Sequence, residues 1–412
     1  GDRVYSVFAD HEGTMWFSTE TGVSKLLSDA FQSYAVGENI LSAARFAGST
    51  WVGSLGKGVG KIDAEGSVGW LSTGDGLPNE NVWSLEVAGE RLWIGTGTGL
   101  ASFDGEKLEA HTIAGVDPGP LYDLVPDGEH LWLLGAGGAC YWKRGAEACR
   151  AYTAENGLGR ASHIYQGARH GAEMCFASEG GISCLAGERF RLLGPKDGLP
   201  SETVYALLVD STGTMWAGTN RGLAKRVGDR FETLGVEQGL PTNFVGALTE
   251  VEPGLLAVGT NRGVTLLRAG KVVGQLDRAH GLIGNETNFH SLLAADGELW
   301  VGTTSGITRY LPGLRRDNPE PPRVELVSWS AGGKHQDTTS GVLLAPTLNN
   351  LVFDFVGLSF RDEADVRYSF QLEGYDRDWS APADSHRVRY TNLGPGRYRF
   401  LVRARNGDQV WS

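Results

Sequence analysis

Residues 204–234 alternate apolar and polar positions in four short bursts. Val204-Tyr205-Ala206-Leu207 leads into an Asp210…Gly213 turn, and Met215-Trp216-Ala217-Gly218 follows. Asn220-Arg221-Gly222 reverses the chain, Leu223-Ala224-Lys225-Arg226 continues it, and after Gly228-Asp229 comes Phe231-Glu232-Thr233-Leu234. Bursts of four to six residues separated by turn signals predict four antiparallel strands.

The block is not unique. A phrase close to W-x-G-T-x-x-G-(aliphatic) recurs at Trp16, Trp93, Trp216 and Trp300, with weaker copies at Trp51, Trp132, Cys175 and Ala257. The spacing of about 40 residues is the size of a four-stranded propeller blade and too long for a leucine-rich repeat. Between copies lies a second phrase: Asp75-Gly76-Leu77-Pro78, Asn156-Gly157-Leu158, Asp197-Gly198-Leu199-Pro200, Gln238-Gly239-Leu240-Pro241 and His280-Gly281-Leu282. Its glycine permits the turn from an outer strand back towards the axis, and its proline stiffens the approach to the next inner strand. The tryptophans read as wedge fillers between neighbouring sheets, so the copies built on Cys175 and Ala257 should be looser. Eight copies predict eight blades, with seven as the alternative if the Trp51 or Cys175 copy lies outside the ring. The last copy lacks a fourth strand after Tyr310, which residues upstream of Gly1 would supply.

Composition agrees. Of 412 residues, 60 are glycine and only 15 proline, as many tight turns require, and 41% hydrophobic with 21% charged residues argues against disorder. The net charge of −12 repels nucleic acid and anionic membrane surfaces. No apolar run approaches the roughly 18 residues of a membrane span. The opening on Gly1-Asp2-Arg3 shows no signal peptide and suggests an excised piece of a larger protein.

The repeats stop at Leu311-Pro312-Gly313, and a charged, proline-rich connector follows from Arg315 to Pro322. Residues 323–412 balance 11 basic against 11 acidic side chains, so the whole imbalance lies before them. Alternation over Val324–Trp329, Leu351–Leu358, Val366–Glu373, Val388–Thr391 and Arg397–Ala404 predicts an antiparallel β-sandwich. The fold class is therefore all-β, a β-propeller over 1–313, a linker over 314–322 and an immunoglobulin- or fibronectin-like sandwich over 323–412.

The combined phrase G-L-P…V-x-S-L…D-x-x-G-x-(hydrophobic)-W-x-G-T-x-x-G-L resembles the two-component regulator propeller repeat of bacterial sensor proteins. The segments Tyr368–Ser380, Arg389–Tyr398 and Arg405-Asn406-Gly407 resemble the triple-tyrosine domain, which in that family sits between such a propeller and a membrane-spanning segment. The resemblance implies the periplasmic sensor region of a membrane-bound signalling protein. It also implies a final strand, a membrane helix and a cytoplasmic output beyond Ser412, and tyrosines that serve the core. Asp10 and Asp210 lie near motifs similar to the sialidase Asp-box, but the spacing to glycine differs by one residue, and both read as turn holders.

Cys140, Cys149, Cys175 and Cys184 form two pairs nine apart across predicted hairpins. Opposed positions in an antiparallel pair lie within disulfide reach, so Cys140–Cys149 and Cys175–Cys184 are the favoured bonds; four free thiols are the alternative. Metal binding is disfavoured for want of C-x-x-C or histidine spacing.

No phosphate loop, dinucleotide fingerprint, H-E-x-x-H or nucleophile elbow occurs in credible context, so neither catalytic site nor cofactor is expected. The inner-strand starts read Tyr5-Ser6, Leu41-Ser42, Trp83-Ser84, Tyr122-Asp123, Tyr165-Gln166, Tyr205-Ala206, Gly246-Ala247 and His290-Ser291, with Asp123 the sole acid. A binding face is the better expectation. It gathers Lys57, Asn220-Arg221 and Asn261-Arg262 from the second-to-third-strand turns, and Arg160, His163, Asn288 and His290 from the connecting loops. Fork donors and amides at a channel mouth suit a hydroxylated or anionic small molecule, such as an oligosaccharide. The expected partner is a second copy joined through the C-terminal domain, with the membrane reached only through a following segment. A secreted glycan lyase or hydrolase and a protein-interaction scaffold are the competing readings.

Overall fold

Two local devices recur along the repeats, the first at Asp10 and Asp210. Asp210 Oδ1 accepts hydrogen bonds from the backbone N–H of Thr212 (3.0 Å) and Thr214 (2.9 Å), and its Oδ2 accepts one from Trp216 Nε1 (2.7 Å). One carboxylate thus closes the turn between strands one and two and orients the tryptophan beyond it, as the turn-holder reading expects. The second device is the connector. Short 3₁₀ turns at Thr73–Asp75, Ala154–Asn156, Pro195–Asp197 and Val236–Gln238 end on Gly76, Gly157, Gly198 and Gly239, whose φ of 97 to 106° favours glycine. The leucine after each of these glycines is buried, so these four connectors are anchored between sheets.

In the computed structural model the described residues are 3–26, 28–115, 119–159, 162–314, 318–336, 341–361 and 363–412. Arg160 and connector residues 315–317 lie outside them. The chain divides into Ala30–Leu314 and a second unit made of Gly1–Asp29 with Arg315–Ser412.

Within Ala30–Leu314 the described residues form seven four-stranded antiparallel sheets. Six are continuous in sequence, at 40–71, 82–111, 121–152, 164–193, 204–234 and 247–276. The seventh joins the three strands within 287–310 to Phe31–Tyr34, with Tyr310 opposite Phe31 and Ile307 opposite Tyr34. The inner strands Ile40–Phe46, Val82–Ala88, Leu121–Asp127, Ile164–His170, Val204–Val209, Ala247–Glu252 and Thr287–Ala295 pack side by side in order, the last against the first. The ring therefore closes on a strand from its own amino-terminal end, and no strand from upstream of Gly1 enters this seam.

The eighth repeat copy is not a member of that ring. The departing copy is the one at Trp16, rather than Trp51 or Cys175: Val4–Ala9, Met15–Thr19 and Gly22–Leu26 form a separate three-stranded sheet in the other unit. The propeller thus begins at Ala30, not at residue 1. The cause is pairing, since Phe31–Tyr34, which would have completed the first copy, completes the last one.

Trp51, Trp93, Trp132, Trp216 and Trp300 are buried between sheets. The Cys175 and Ala257 copies are complete sheets and no looser, because Cys175 and Ala257 are themselves fully buried and neighbouring aliphatic groups fill the wedge. Both cysteine pairs are bonded. Cys175 and Cys184 face each other directly across strands Glu173–Ser178 and Gly181–Ala186, whereas Cys149 precedes its strand and reaches Cys140 from the loop.

In the second unit Arg323–Ala331, Lys334–His335, Leu351–Leu358 and Arg387–Tyr390 form one sheet, and Arg367–Glu373 pairs with Arg399–Arg405 in another. Phe353, Phe355, Tyr368, Leu372 and Tyr390 lie in the core between them. The tyrosine hydroxyls are committed to the fold. Tyr368 accepts from Gly357 N (2.9 Å), Tyr390 donates to Asp376 Oδ2 (2.7 Å) and Tyr398 donates to the Gly394 carbonyl (2.9 Å). The first repeat docks on this unit through a buried Glu12. Its carboxylate accepts from Asn318 Nδ2 (3.1 Å), the Ser359 hydroxyl (2.7 Å) and the backbone N–H of Phe360 (2.5 Å) and Arg361 (3.1 Å).

Candidate ligand-binding site

The inner strands share a defect at one end. In five blades the pairing with strand two slips by one residue right after the first position, leaving Leu41, Trp83, Tyr122, Tyr165 and Tyr205 unpaired. Such a bulge re-aims the extra residue. Ring contacts between blades show where these side chains go. Trp83 meets Tyr122 (5.3 Å between centroids), Tyr122 meets Tyr165 (5.8 Å), Tyr165 meets Tyr205 (5.4 Å) and Tyr205 meets Phe244 (5.4 Å). The sixth blade carries Gly246 at this position, where a Cβ would lie 3.1 Å from the Phe244 ring.

The seventh blade closes the girdle from across the axis. Between the pairs Thr287–Thr303 and Leu292–Val301, four residues on the inner strand oppose the single Gly302. His290 takes φ 54° within this large bulge, a left-handed conformation costly for a residue with a Cβ. The excursion carries Phe289 to Tyr205 (5.3 Å) and Tyr165 (6.1 Å), and His290 Nε2 donates to the Tyr165 carbonyl (2.7 Å). The axis is filled, not an open hub. Every girdle ring remains partly exposed, and a contiguous, partly exposed aromatic cluster is uncommon on a surface without a binding role.

One carboxylate faces these rings. Glu179, in the second-to-third-strand turn of the fourth blade, accepts from the Ser162 hydroxyl, from His163 Nδ1 (2.9 Å) and from the Tyr165 hydroxyl (3.2 Å). The Ser162 hydrogen bond, with smaller help from His163 and Tyr165, holds it below the ordinary carboxylate value against the opposing effect of burial. Burial, then the Glu179 charge, pushes the Tyr165 hydroxyl up.

The inner strands have free backbone donors facing the axis, and side chains from the preceding blade satisfy two of them. Asp123 Oδ2 accepts from Gly167 N (2.9 Å), and Gln166 Oε1 accepts from Leu207 N (2.8 Å). Burial pushes Asp123 up to about 7 and, together with Asp123, pushes Glu86 up to about 8; burial also pushes His290 down to about 4. His290 donates through Nε2, so the Nδ1 that lies 3.7 Å from Asp123 Oδ1 presents its lone pair. All three groups are thus uncharged near pH 6.

The residues expected to bind ligand separate. His163 joins the girdle, 5.9 Å from Tyr122 and 6.2 Å from Tyr165. His290 is a buried strut. Asn288 donates to Asn39 Oδ1 and to the Ile40 carbonyl (both 2.7 Å), tying the seventh blade to the first. Lys57 pairs with Glu38 (2.5 Å) and lies over Trp70. Asn220, Arg221, Asn261 and Arg262 occupy exposed turns of one design, in which Thr219 and Thr260 hydroxyls each cap the arginine N–H at 3.0 Å. Among the described residues no ion pair or ring engages the Arg221 guanidinium. Sequence reasoning placed Tyr122, Tyr165 and Tyr205 at inner-strand starts without joining them, and it overlooked Glu86 and Glu179.

Comparison with known proteins follows the same division. Residues 198–221 match the two-component regulator propeller model and residues 359–412 match the Y_Y_Y domain model. A search of curated protein sequences finds no match. Among solved structures, the chain is similar to the extracellular domain of a putative hybrid two-component system, BT3049, from B. thetaiotaomicron. The TM-score is 0.81 at 18% identity, covering 99% of this chain and 60% of that one. The corresponding domain of BT4673 from the same organism gives 0.59 at 18% identity, covering 99% and 61%. The chain thus spans about three fifths of the length of these two structures. At this identity the likeness speaks for the fold. The chain combines a two-component regulator propeller repeat with a carboxy-terminal Y_Y_Y domain.

Proposed function

We propose that this chain is the extracytoplasmic ligand-sensing region of a membrane-bound bacterial signal-transduction receptor, binding a small hydroxylated ligand such as an oligosaccharide at the aromatic mouth of the ring. The observation that carries the reading is the girdle of partly exposed rings from successive blades closing around Tyr165 and Glu179. Aromatic faces receive the C–H faces of sugar rings, and a few fixed polar groups set orientation. Both sensor-type structures described above are extracellular domains, and two disulfides suit an oxidising compartment, which in this reading is the periplasm. Signalling follows as a population shift between arrangements of a dimer joined through the Y_Y_Y domain. In this reading the hub acids serve the ring, Asp123 accepting from the Gly167 amide of the next blade.

A thermal-shift screen of neutral sugars, uronates and amino acids tests the reading on the 412-residue chain, with Tyr165→Ala, Arg221→Ala and Arg262→Ala alongside. The expected result is a sugar response that Tyr165→Ala abolishes. A response unchanged in Tyr165→Ala and lost with the arginines moves the site to the exposed turns. Product release from a polysaccharide would instead favour the glycan-cleaving alternative.

A further inference from the structure

We propose that the ligand of this mouth is an aminated sugar, whose ammonium group is received by Glu179 while its ring stacks on Tyr122, Tyr165 and Tyr205. This rests on the reading that the mouth binds a sugar, and it specifies the class. A neutral sugar needs only hydroxyls and amides beside the aromatic faces, and an acidic one needs guanidinium or ammonium donors. The charge at the girdle is of the other sign. Three donors occupy Glu179, whereas a carboxylate offers about four acceptor sites, so one position stays free for a ligand donor. The side chain is 39% accessible, open enough to be reached from solvent. The hydrogen bond from the Tyr165 hydroxyl places it at the polar edge of the girdle, next to the ring faces.

Cations elsewhere on the chain do seek aromatic rings, since Lys57, Lys61, Lys225 and Arg309 lie over Trp70, Trp51, Trp216 and Trp300. Among the described residues none lies over a girdle ring. A carboxylate beside aromatic faces, with no lysine or arginine among the described residues over them and only the His163 imidazole as a neighbouring basic group, forms an environment that recognises ligand ammonium groups. The net charge of −12 adds long-range attraction for a cationic ligand.

Titration calorimetry on the 412-residue chain decides the matter, using glucosamine trimer, its N-acetylated counterpart, cellotriose and trigalacturonate. The glucosamine trimer should bind most tightly. Glu179→Gln should weaken that trimer alone by about 10-fold or more, the scale of one charge-assisted hydrogen bond. Tyr205→Ala should abolish binding of every sugar, and melting curves of both variants establish that they remain folded. If the N-acetylated or neutral trimer binds as tightly as glucosamine trimer, or Glu179→Gln leaves its affinity unchanged while Tyr205→Ala still removes it, the amine assignment falls and the sugar site stands. If no sugar binds, or Tyr205→Ala changes nothing, the sugar reading itself fails and takes this inference with it.

Discussion

Glu86, Asp123 and His290 give the ring a pH signature. In the folded chain Glu86 and Asp123 keep their protons to about 8 and about 7, whereas ordinary carboxyls of these types lose them near 4.5 and 3.8. Between those limits the folded state binds more protons than the unfolded state, so both groups make stability fall as pH rises. His290 works in the opposite sense. Depressed to about 4 from 6.5, it removes stability as pH falls through that interval. Glu86→Gln should therefore flatten the decline between about pH 5 and 8, and at about pH 9 the variant should be the more stable protein. Urea denaturation across that range measures it, and an unchanged slope would mean that Glu86 is solvated. Asp210 is the residue-scale counterpart in a turn. Asp210→Ala leaves the Trp216 indole N–H and two backbone donors unpaired, and should lower stability by about 2 kcal/mol in the same assay.

At the scale of elements, the blades were legible and the seam was not. The Trp-x-Gly-Thr phrase, the Gly-Leu-Pro connector and the Asp…Gly turn each report on neighbours within a few residues, and each forms as its local chemistry dictates. Ring membership depends on Phe31–Tyr34 finding the strand at Gly306–Tyr310, a pairing no local pattern records. The copy at Trp16 therefore looked like a blade. The binding site was hidden similarly. Alternation marked Tyr122, Tyr165 and Tyr205 as inner-strand residues, but the bulges that turn them towards one another are backbone slips invisible in composition. Glu179 lies in the hairpin turn between Cys175 and Cys184, where a charged residue carries no signal of a site. The seam itself is testable. Phe31 stacks on Tyr310 at 4.8 Å and fills the space beside Gly281, so Phe31→Ala should cost about 3 kcal/mol and lower the melting temperature. Reduction or replacement of Cys140–Cys149 should cost about 2–3 kcal/mol by the loop-entropy argument, measured by calorimetry with and without reductant.

Over the whole molecule, the amino-terminal 29 residues and the last 98 form one unit although the ring separates them in sequence. Glu12 is the buried link between the first repeat and the carboxy-terminal part, with four donors converging on its carboxylate beside the outer contacts of Lys25 and Trp16. Removing the acceptor strands those donors, so Glu12→Ala should expose 3–26 to limited proteolysis while leaving the ring resistant. Intact 3–26 in the variant would show that other contacts suffice. The division also predicts that residues 28–314 expressed alone give a cooperative thermal transition, since all seven sheets are complete within them.

Leu311 N donates to the Ala30 carbonyl at 2.8 Å, so the polypeptide enters and leaves the ring through a single doorway. Topologically the seven sheets are a cassette spliced into a host, and tension applied to either flank converges on the same zipper of four residue pairs. Force or twist on the flanks would unfasten that zipper before disturbing any other sheet, which makes the doorway the natural fuse of the assembly.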